Sequence, residues 1–299
     1  MGVASSGNIT GISGPVIGAV TYTPIKMFEV AYIGHSKLLG EVIRIKGDRV
    51  DIQVYEDTSG LTKGEPVIFT GELLAVDLGP GILGCVFDGI GRPLEILGKD
   101  SIYLKKGIHL PAIDSRKKWY FTPSIKEGEI VTPGTFIGYV FEGSFLQHRI
   151  MAPPYIEPAK VFWVASEENY TIEDSICRLE NGVELTMKQR WEVRRPRPVL
   201  SRLSFDAPLL TGQRILDTLF PIAIGGAAVL PGGFGTGKTV TQQSLAKWCN
   251  AEIIIYIGCG ERGNEMTEVL EEFPELSDPF HNAPLMERMV LIANTSIWA

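Results

Sequence analysis

The sequence is poor in cysteine and histidine, and neither residue type shows the spacing of a metal site. The 299 residues contain four cysteines and four histidines. The cysteines are Cys85, Cys177, Cys249 and Cys259, and no two of them form a C-x-x-C pair. We therefore expect reduced thiols in a cytosolic protein, in place of a disulfide framework or a zinc centre.

Long hydrophobic runs and an excess of positive charge are also lacking. No stretch of about 18 apolar residues is present, so the sequence predicts no membrane-spanning helix. The first residues are not a basic region followed by an apolar core, so we expect no secretory signal. The net charge of −7 gives no support for a nucleic-acid partner. With 44% hydrophobic and 21% charged residues, the composition is typical of a soluble globular protein with two or three domains.

Glycine is abundant, and one glycine-rich segment is the most informative part of the chain. Residues 232–239 read G-G-F-G-T-G-K-T and fit the pattern G-x-x-x-x-G-K-[S/T]. Glycines let backbone N–H groups turn inward to form an anion-binding nest, and a following helix adds its positive N-terminal end. Lys238 would supply charge to the β- and γ-phosphates, and the hydroxyl of Thr239 would ligate Mg²⁺. The alternative is a flexible glycine turn before an ordinary helix.

The surroundings of this segment favour a phosphate-binding loop. Residues 227–230 form a short apolar run that ends at Pro231, and residues 240–249 have helical composition. Residues 252–257 are nearly continuously apolar, which is typical of a parallel strand covered on both faces. Strand, loop, helix and strand together have the usual size of a βαβ unit. The predicted nucleotide-binding residues are Gly232, Gly233, Phe234, Gly235, Thr236, Gly237, Lys238, Thr239 and Val240, with Thr239 also the metal ligand.

Candidate catalytic residues follow directly after the second predicted strand. Residues 258–265 read G-C-G-E-R-G-N-E. Ligands of open α/β sheets bind beyond the carboxyl ends of the strands, so Glu261 and Arg262 should lie close to the glycine-rich loop. A carboxylate there can orient a water for attack on the γ-phosphorus, and an arginine can neutralise phosphate charge or anchor the loop. We therefore predict Lys238, Glu261 and Arg262 as catalytic residues; the alternative for the last two is an exposed ion pair in a polar turn.

The sequence divides into four segments of different character. Residues 1–70 contain short β-branched runs separated by turn signals, which predicts a small β-barrel. Residues 71–110 are rich in turns and are interpreted as a connector to the nucleotide-binding domain. Residues 111–190 form a second β-rich stretch, an inserted domain. Residues 191–299 are the α/β segment that carries the loop.

Residues 231–239 and 258–266 together resemble the catalytic A subunit of rotary V-type and archaeal A-type ATPases. The resemblance covers nearly the whole chain. Further matching segments are residues 53–60, 78–83, 87–93, 211–217, 272–276 and 291–296. The β-rich insertion distinguishes these subunits from F-type β subunits and from flagellar export ATPases. Gly233 departs from the family pattern, in which proline is common at this position.

The resemblance implies a fold, an activity and a set of partners. The implied fold is a multidomain α/β protein with an N-terminal β-barrel, a β-rich inserted domain and a P-loop (RecA-like) nucleotide-binding domain. The implied activity is that of a proton- or sodium-translocating rotary ATPase or ATP synthase, a hydrolase and translocase that uses ATP or ADP with Mg²⁺. The implied partners are B-type subunits in an alternating hexameric ring, central and peripheral stalk subunits, and through these a membrane ion-translocating sector. Such a protein lies at the cytoplasmic face of the membrane.

The length of the chain leads to a separate expectation. The chain ends at Ala299, which the resemblance places roughly halfway along the length of a family member. Residues 297–299 depart from the family pattern. We therefore expect an incomplete nucleotide-binding domain and a chain that is inactive alone. A truncated, non-catalytic nucleotide-binding fragment and a related hexameric protein-export ATPase are the alternatives.

Overall fold

The computed structural model describes residues 5–98, 105–233 and 235–295. The residues that it describes fall into two compact units. The first unit comprises Met1–Asp77, Arg92–Pro111 and Arg190–Pro196, and the second comprises Leu78–Gly91, Ala112–Gln189 and Arg197–Ala299. The predictions that concern Phe234 and residues 297–299 lie outside the described residues.

The first unit contains a closed, antiparallel six-stranded barrel. Its strands are β1 (Ser5–Ser13), β2 (Val16–Thr21), β3 (Glu29–Ile33), β4 (Leu38–Lys46), β5 (Arg49–Val54) and β6 (Pro66–Leu73). They pair in the order β1-β2-β5-β4-β3-β6, and β6 pairs with β1. Alternation fills the interior, since β5 buries Val50, Ile52 and Val54 and turns the residues between them outward. The predicted N-terminal β-barrel is confirmed.

Four further short elements lie outside the six barrel strands. They are β7 (Ala75–Leu78), β8 (Val86–Asp88), α1 (Leu94–Leu97) and, later in the chain, β17 (Gln189–Glu192). Of these four elements, only β8 belongs to the parallel sheet of the α/β region. The segment interpreted as a connector therefore also supplies a strand.

The inserted β-rich region consists of two four-stranded sheets. The strands are β9 (Lys118–Pro123), β10 (Ile130–Val131), β11 (Phe136–Glu142), β12 (Leu146–Met151), β13 (Ala159–Val164), β14 (Glu168–Thr171), β15 (Cys177–Leu179) and β16 (Glu184–Leu185). One sheet has the order β12-β11-β9-β14 and the other the order β10-β13-β15-β16. A hydrophobic core that includes Phe121, Val131, Ile137 and Ile176 lies among them, with these four side chains fully buried. The predicted β-rich insertion is confirmed.

The α/β region is built on a three-stranded parallel sheet. Its elements are β18 (Pro208–Leu209), α2 (Arg214–Leu219), β19 (Ile222–Ala223), α3 (Lys238–Trp248), β20 (Ile254–Glu261), α4 (Gly263–Glu272), two 3₁₀ turns (Phe273–Glu275 and Leu285–Arg288) and β21 (Met289–Thr295). The sheet order is β20-β21-β8, so β21 is the central strand. A core of Ala246, Ile254, Val269, Phe273 and Leu291 joins the helices to one face of the sheet.

Two details of this region differ from the sequence prediction. Residues 227–230 are not a strand: no described segment pairs with them, and Val229 is 84% exposed. An apolar run becomes a strand only where a neighbour accepts its backbone hydrogen bonds. The prediction that β20 is covered on both faces is also wrong, because Ile255 and Ile257 are exposed while Ile254 on the opposite face is buried.

A membrane-crossing helix is not present: over the described part of the chain, every helix is too short or too polar to traverse a bilayer.

Candidate functional site

The glycine-rich loop adopts a backbone that only glycine adopts readily. Gly235 and Gly237 have φ angles of +73° and +79°, in the left-handed region. Gly237 is the N-cap residue of α3, which begins at Lys238. The loop residues Gly232, Gly233, Gly235, Thr236 and Gly237 are exposed to solvent. The loop is therefore open, and the first N–H groups of α3 lie directly behind it.

The ammonium group of Lys238 lies against the beginning of the loop. Its Nζ donates to the carbonyl oxygens of Gly232 at 2.5 Å and Gly233 at 2.7 Å. The hydroxyl of Thr236 also donates to the Gly233 carbonyl, at 2.9 Å. Both acceptors are neutral carbonyl oxygens. Because the positively charged ammonium group bonds anionic oxygens more strongly, such oxygens can replace the carbonyls. Val240, the last predicted loop residue, is exposed in the first turn of α3.

The end of β20 brings the predicted carboxylate close to this lysine. Glu261 is the last residue of β20, and Arg262 is the N-cap of α4. A hydrogen bond with Glu265, then burial and the Glu265 charge, raise the pKa of Glu261, and the nearby Lys238 charge opposes them. The Arg262 side chain is exposed. The structure thus places Glu261 close enough to Lys238 for the two charges to interact, and the sequence predicted this proximity.

Glu265 is a member of this cluster that the sequence reasoning did not single out. It lies in the first turn of α4, and its Oε2 accepts a hydrogen bond from the hydroxyl of Thr239 at 3.4 Å. The same side chain bonds Glu261. The sequence does show an acidic residue where a helix begins. However, the helix dipole favours acidic residues in any first turn, so this position did not by itself indicate a function. Only the fold shows that its partner is the threonine of the loop.

These oxygen donors suit a hard divalent cation. Magnesium prefers oxygen ligands and is commonly held by one or two protein groups together with phosphate oxygens and water. The hydroxyl of Thr239 and the carboxylates of Glu261 and Glu265 supply that kind of donor. Among the residues that the structure describes, no group of three or more His, Cys, Asp or Glu side chains could hold a metal ion by itself. One hydroxyl and the two carboxylates fit a cation that also takes phosphate oxygens as ligands.

The other strands of the sheet end at the same edge. Asp88 ends β8 and is buried, and its Oδ1 accepts from the N–H of Ile90 at 3.1 Å. Gly89 lies so close to Asn294 of β21 that a Cβ atom would be 2.7 Å from the Asn294 Cγ. Because the three strands are parallel, Asp88, Asn294 and Glu261 mark one carboxyl edge of the sheet. Asp88 and Gly89, which belong to a turn-rich segment of the sequence, thus lie at the edge where ligands of such sheets bind.

Three family models match successive parts of the chain. The β-barrel domain of the ATP synthase alpha/beta family matches residues 9–71. The barrel-sandwich domain of the ATP synthase alpha/beta subunits matches residues 110–194. The nucleotide-binding domain of the same family matches residues 212–297, which include the glycine-rich loop and Glu261.

Curated relatives match along nearly the full chain. It is 54% identical over 295 residues to the A subunit of the A-type ATP synthase of Methanopyrus kandleri, with 97% of this chain and 50% of the relative aligned. It is 55% identical over 293 residues to an A subunit of the A-type ATP synthase of Methanospirillum hungatei, with 98% and 50% aligned. It is 51% identical over 297 residues to the V-type ATP synthase alpha chain of a Thermoanaerobacter species, again with 98% and 50% aligned.

The chain spans about half the length of these relatives. The three domain models follow one another along the chain, and about half of the aligned residues are identical in each relative. Together these matches show that the chain belongs to the ATP synthase alpha/beta family, among relatives that are A subunits of A-type and alpha chains of V-type ATP synthases.

Proposed function

We propose that this chain carries the nucleotide site of a catalytic subunit of an ion-translocating rotary ATPase or ATP synthase. The observation that carries the proposal is the placement of Lys238 and Thr239 opposite Glu261 and Glu265. A basic group for phosphate, a hydroxyl for a cation and a carboxylate for water lie at the carboxyl edge of one parallel sheet. That combination suits ATP and ADP with Mg²⁺.

Each residue has a distinct part in the proposed mechanism. Phosphate oxygens replace the Gly232 and Gly233 carbonyls as acceptors for Lys238, and the new hydrogen bonds are charge-assisted. The N–H groups of the loop and of the first turn of α3 bind the remaining phosphate oxygens. Glu261 orients a water toward the γ-phosphorus, and Arg262 neutralises phosphate charge or anchors the loop. Mg²⁺, when bound through Thr239, supplies further neutralisation of phosphate charge.

The proposal extends to the assembly. The barrel, which the sequence placed in residues 1–70 and whose last strand ends at Leu73, joins neighbouring subunits in a hexameric ring that alternates with B-type subunits. Residues 71–110 connect it to the nucleotide-binding domain at 191–299, and residues 111–190 form the inserted domain. The nucleotide site lies between subunits, and a neighbouring chain supplies an arginine to the transition state. Stalk subunits connect the ring to a membrane ion-translocating sector, which places the chain at the cytoplasmic face of the membrane. Support for this assembly comes from the names of the relatives as ATP synthase components.

Ligand selectivity tests the proposed site directly. We expect isothermal titration of the chain to show ATP and ADP binding in the presence of Mg²⁺, because the loop recognises phosphate. Adenosine, which lacks phosphate, should bind at least about tenfold more weakly, since a single charge-assisted contact accounts for that ratio. Equal affinity for adenosine and ATP, or no binding of either nucleotide, would contradict the proposal. Phosphate release by the chain assembled with B-type subunits then tests turnover.

A further inference from the structure

The hairpin between β11 and β12 carries contacts that the proposed nucleotide site does not explain. We propose that the hairpin tip (Gly143–Ser144–Phe145) is a latch that joins the inserted β-rich region to the start of β21, with Glu287 as a positioning residue for the nucleotide site. The latch itself is a contact within this chain, whereas its effect on turnover rests on the proposed function.

The first part of the latch is a carboxylate that receives two hydrogen bonds from one residue. Oε2 of Glu287 accepts the backbone N–H of Ser144 at 2.8 Å and its hydroxyl at 2.7 Å, across 143 residues of sequence. These two bonds hold the pKa of Glu287 below its ordinary value. Gly143 allows the close approach: its φ is +62°, and a Cβ atom there would lie 2.6 Å from the same oxygen. Hydrogen bonds to an ionised acceptor are stronger than those between neutral groups.

The second part is an aromatic stack at the next residue of the tip. The rings of Phe145 and His281 are parallel, with an interplanar angle of 4° and centroids 4.0 Å apart. The imidazole is itself held in place, because its Nδ1 bonds Oδ2 of Asp278 at 2.6 Å. Three successive hairpin residues therefore meet one short segment of the α/β region.

That segment is rigidly anchored beneath its surface. The side chains of Asp278 and Arg288 are fully buried, with Nε of Arg288 3.2 Å from Oδ2 of Asp278. Arg288 also donates to the carbonyl oxygens of Ala251 and, at 3.4 Å, Cys249 at the end of α3. Glu287 is the immediate neighbour of Arg288, so a displacement of Glu287 is transmitted to this anchor.

The anchored segment leads directly into the central strand. Arg288 ends a 3₁₀ turn and β21 begins at Met289. β21 pairs with β20 along its length, with Thr295 opposite Glu261. A sheet transmits a small displacement along its strands because the paired backbones move together. The latch therefore fixes the starting point of the strand that supports the proposed carboxylate.

Hydrogen exchange of the nucleotide-free chain tests the latch. We expect Glu287→Gln and Ser144→Ala each to raise the exchange of backbone amides at residues 285–291 and at the hairpin tip by about tenfold, the loss of one charge-assisted contact. The double variant should exchange no faster than the faster single variant, because both changes break the same contact. Glu184→Gln is the matched control: it removes a half-exposed carboxylate that pairs with Arg178 at 3.1 Å in the same inserted region. It should leave residues 285–291 unchanged.

Turnover of the assembled complex tests the positioning role. Glu287→Gln should lower kcat by about tenfold with KM within about threefold, since misplacement of a reacting group affects the chemical step more than binding. In contrast to Ser144→Ala, Ser144→Thr keeps both donors and should have parental values in both assays. If Glu287→Gln does not fold, Phe145→Leu tests the same latch through the His281 stack.

Different outcomes separate the two claims. Unchanged exchange at residues 285–291 in both Glu287→Gln and Phe145→Leu overturns the latch, whatever the nucleotide results. Raised exchange with unchanged kcat overturns the positioning role. Failure of the parental chain to bind ATP overturns the proposed function and leaves the exchange result standing.

Discussion

The hydroxyl of Thr239 hydrogen-bonds the carboxylate of Glu265 at 3.4 Å, across 26 residues. This contact ties the first turn of α3 to the first turn of α4. Glu265 also bonds Glu261, so it links the predicted metal ligand Thr239 to a second carboxylate. Substitutions in this cluster should therefore have distinct and measurable effects.

Lys238→Ala should weaken binding of Mg–ATP by about tenfold or more. In the proposed site the ammonium group meets phosphate charge in a loop of N–H donors, where one charge-assisted contact contributes about 1.5–3 kcal/mol. Lys247→Ala is the matched control, because Lys247 lies on the same helix but pairs with Glu272 at 2.6 Å. Isothermal titration measures both variants. Parental affinity in Lys238→Ala would argue against a phosphate-binding role for the loop.

Glu261→Gln should lower turnover of the assembled complex by roughly 10²-fold and leave nucleotide affinity nearly unchanged. Glutamine keeps the shape but removes the basic carboxylate that we propose to orient water, and a positioned base contributes in that range. Glu268→Gln, on the exposed side of α4, serves as the control and should retain activity. Phosphate release and titration give the two quantities. If turnover stays within a few-fold of the parent, Glu261 has a structural role only.

Removal of the Asp278 carboxylate should change how stability depends on pH. Burial alone would raise the pKa of Asp278, but hydrogen bonds from the Phe280 N–H and from His281, with the Arg288 charge, outweigh it and hold the pKa below its ordinary 3.8. A depressed pKa means that the stabilisation is fully present above the unfolded value and is lost as the pH falls through the folded value. Asp278→Asn should therefore be less stable at neutral pH, with a smaller loss as the pH falls below about 4.

Urea unfolding of the parent and of Asp278→Asn over this pH range measures the effect. Asp206→Asn, at an exposed position, is the control and should follow the parent. Curves for Asp278→Asn that run parallel to the parental curves at every pH would show that the carboxylate does not contribute through its ionisation.

Gly40→Ala should destabilise the barrel by about 1–3 kcal/mol, the usual cost of overpacking. A Cβ atom at Gly40 would lie 2.7 Å from Cδ1 of Ile33 and 2.9 Å from the carbonyl oxygen of Gln53. Gly11→Ala in the same barrel is the control, since nothing lies within 4 Å of its Cβ position. It should change stability by no more than about 0.5 kcal/mol. Equal effects of the two substitutions in denaturant unfolding would contradict the packing argument.

Local patterns predicted those parts of the molecule whose interactions are themselves local. The loop at residues 232–239 was recognisable because each of its residue types serves a nearby backbone conformation or charge. The barrel strands were recognisable because alternation along one strand, as in Val50, Ile52 and Val54, reflects one buried face. The position of Glu261 near Lys238 was predictable because Glu261 follows a strand directly.

Features that depend on distant partners were not predictable in this way. β8 is only three residues long, and it is a strand because residues of β21 pair with it. Residues 227–230 have a strand-like composition but lack a paired neighbour in the described structure. Glu265 contacts Thr239 and Glu287 contacts Ser144, and in both pairs the partner is far away in sequence.

The closure of the barrel determines how another protein can bind to it. Each of its six strands has a hydrogen-bonded neighbour on both sides, so between Ser5 and Leu73, the range that the structure describes here, the barrel has no free backbone edge to which a foreign strand could be added. Recognition of the barrel by a neighbouring molecule therefore depends on its outward-facing side chains and turns. Substitutions on those outward positions could change the choice of partner without altering the hydrogen-bonded frame that holds them.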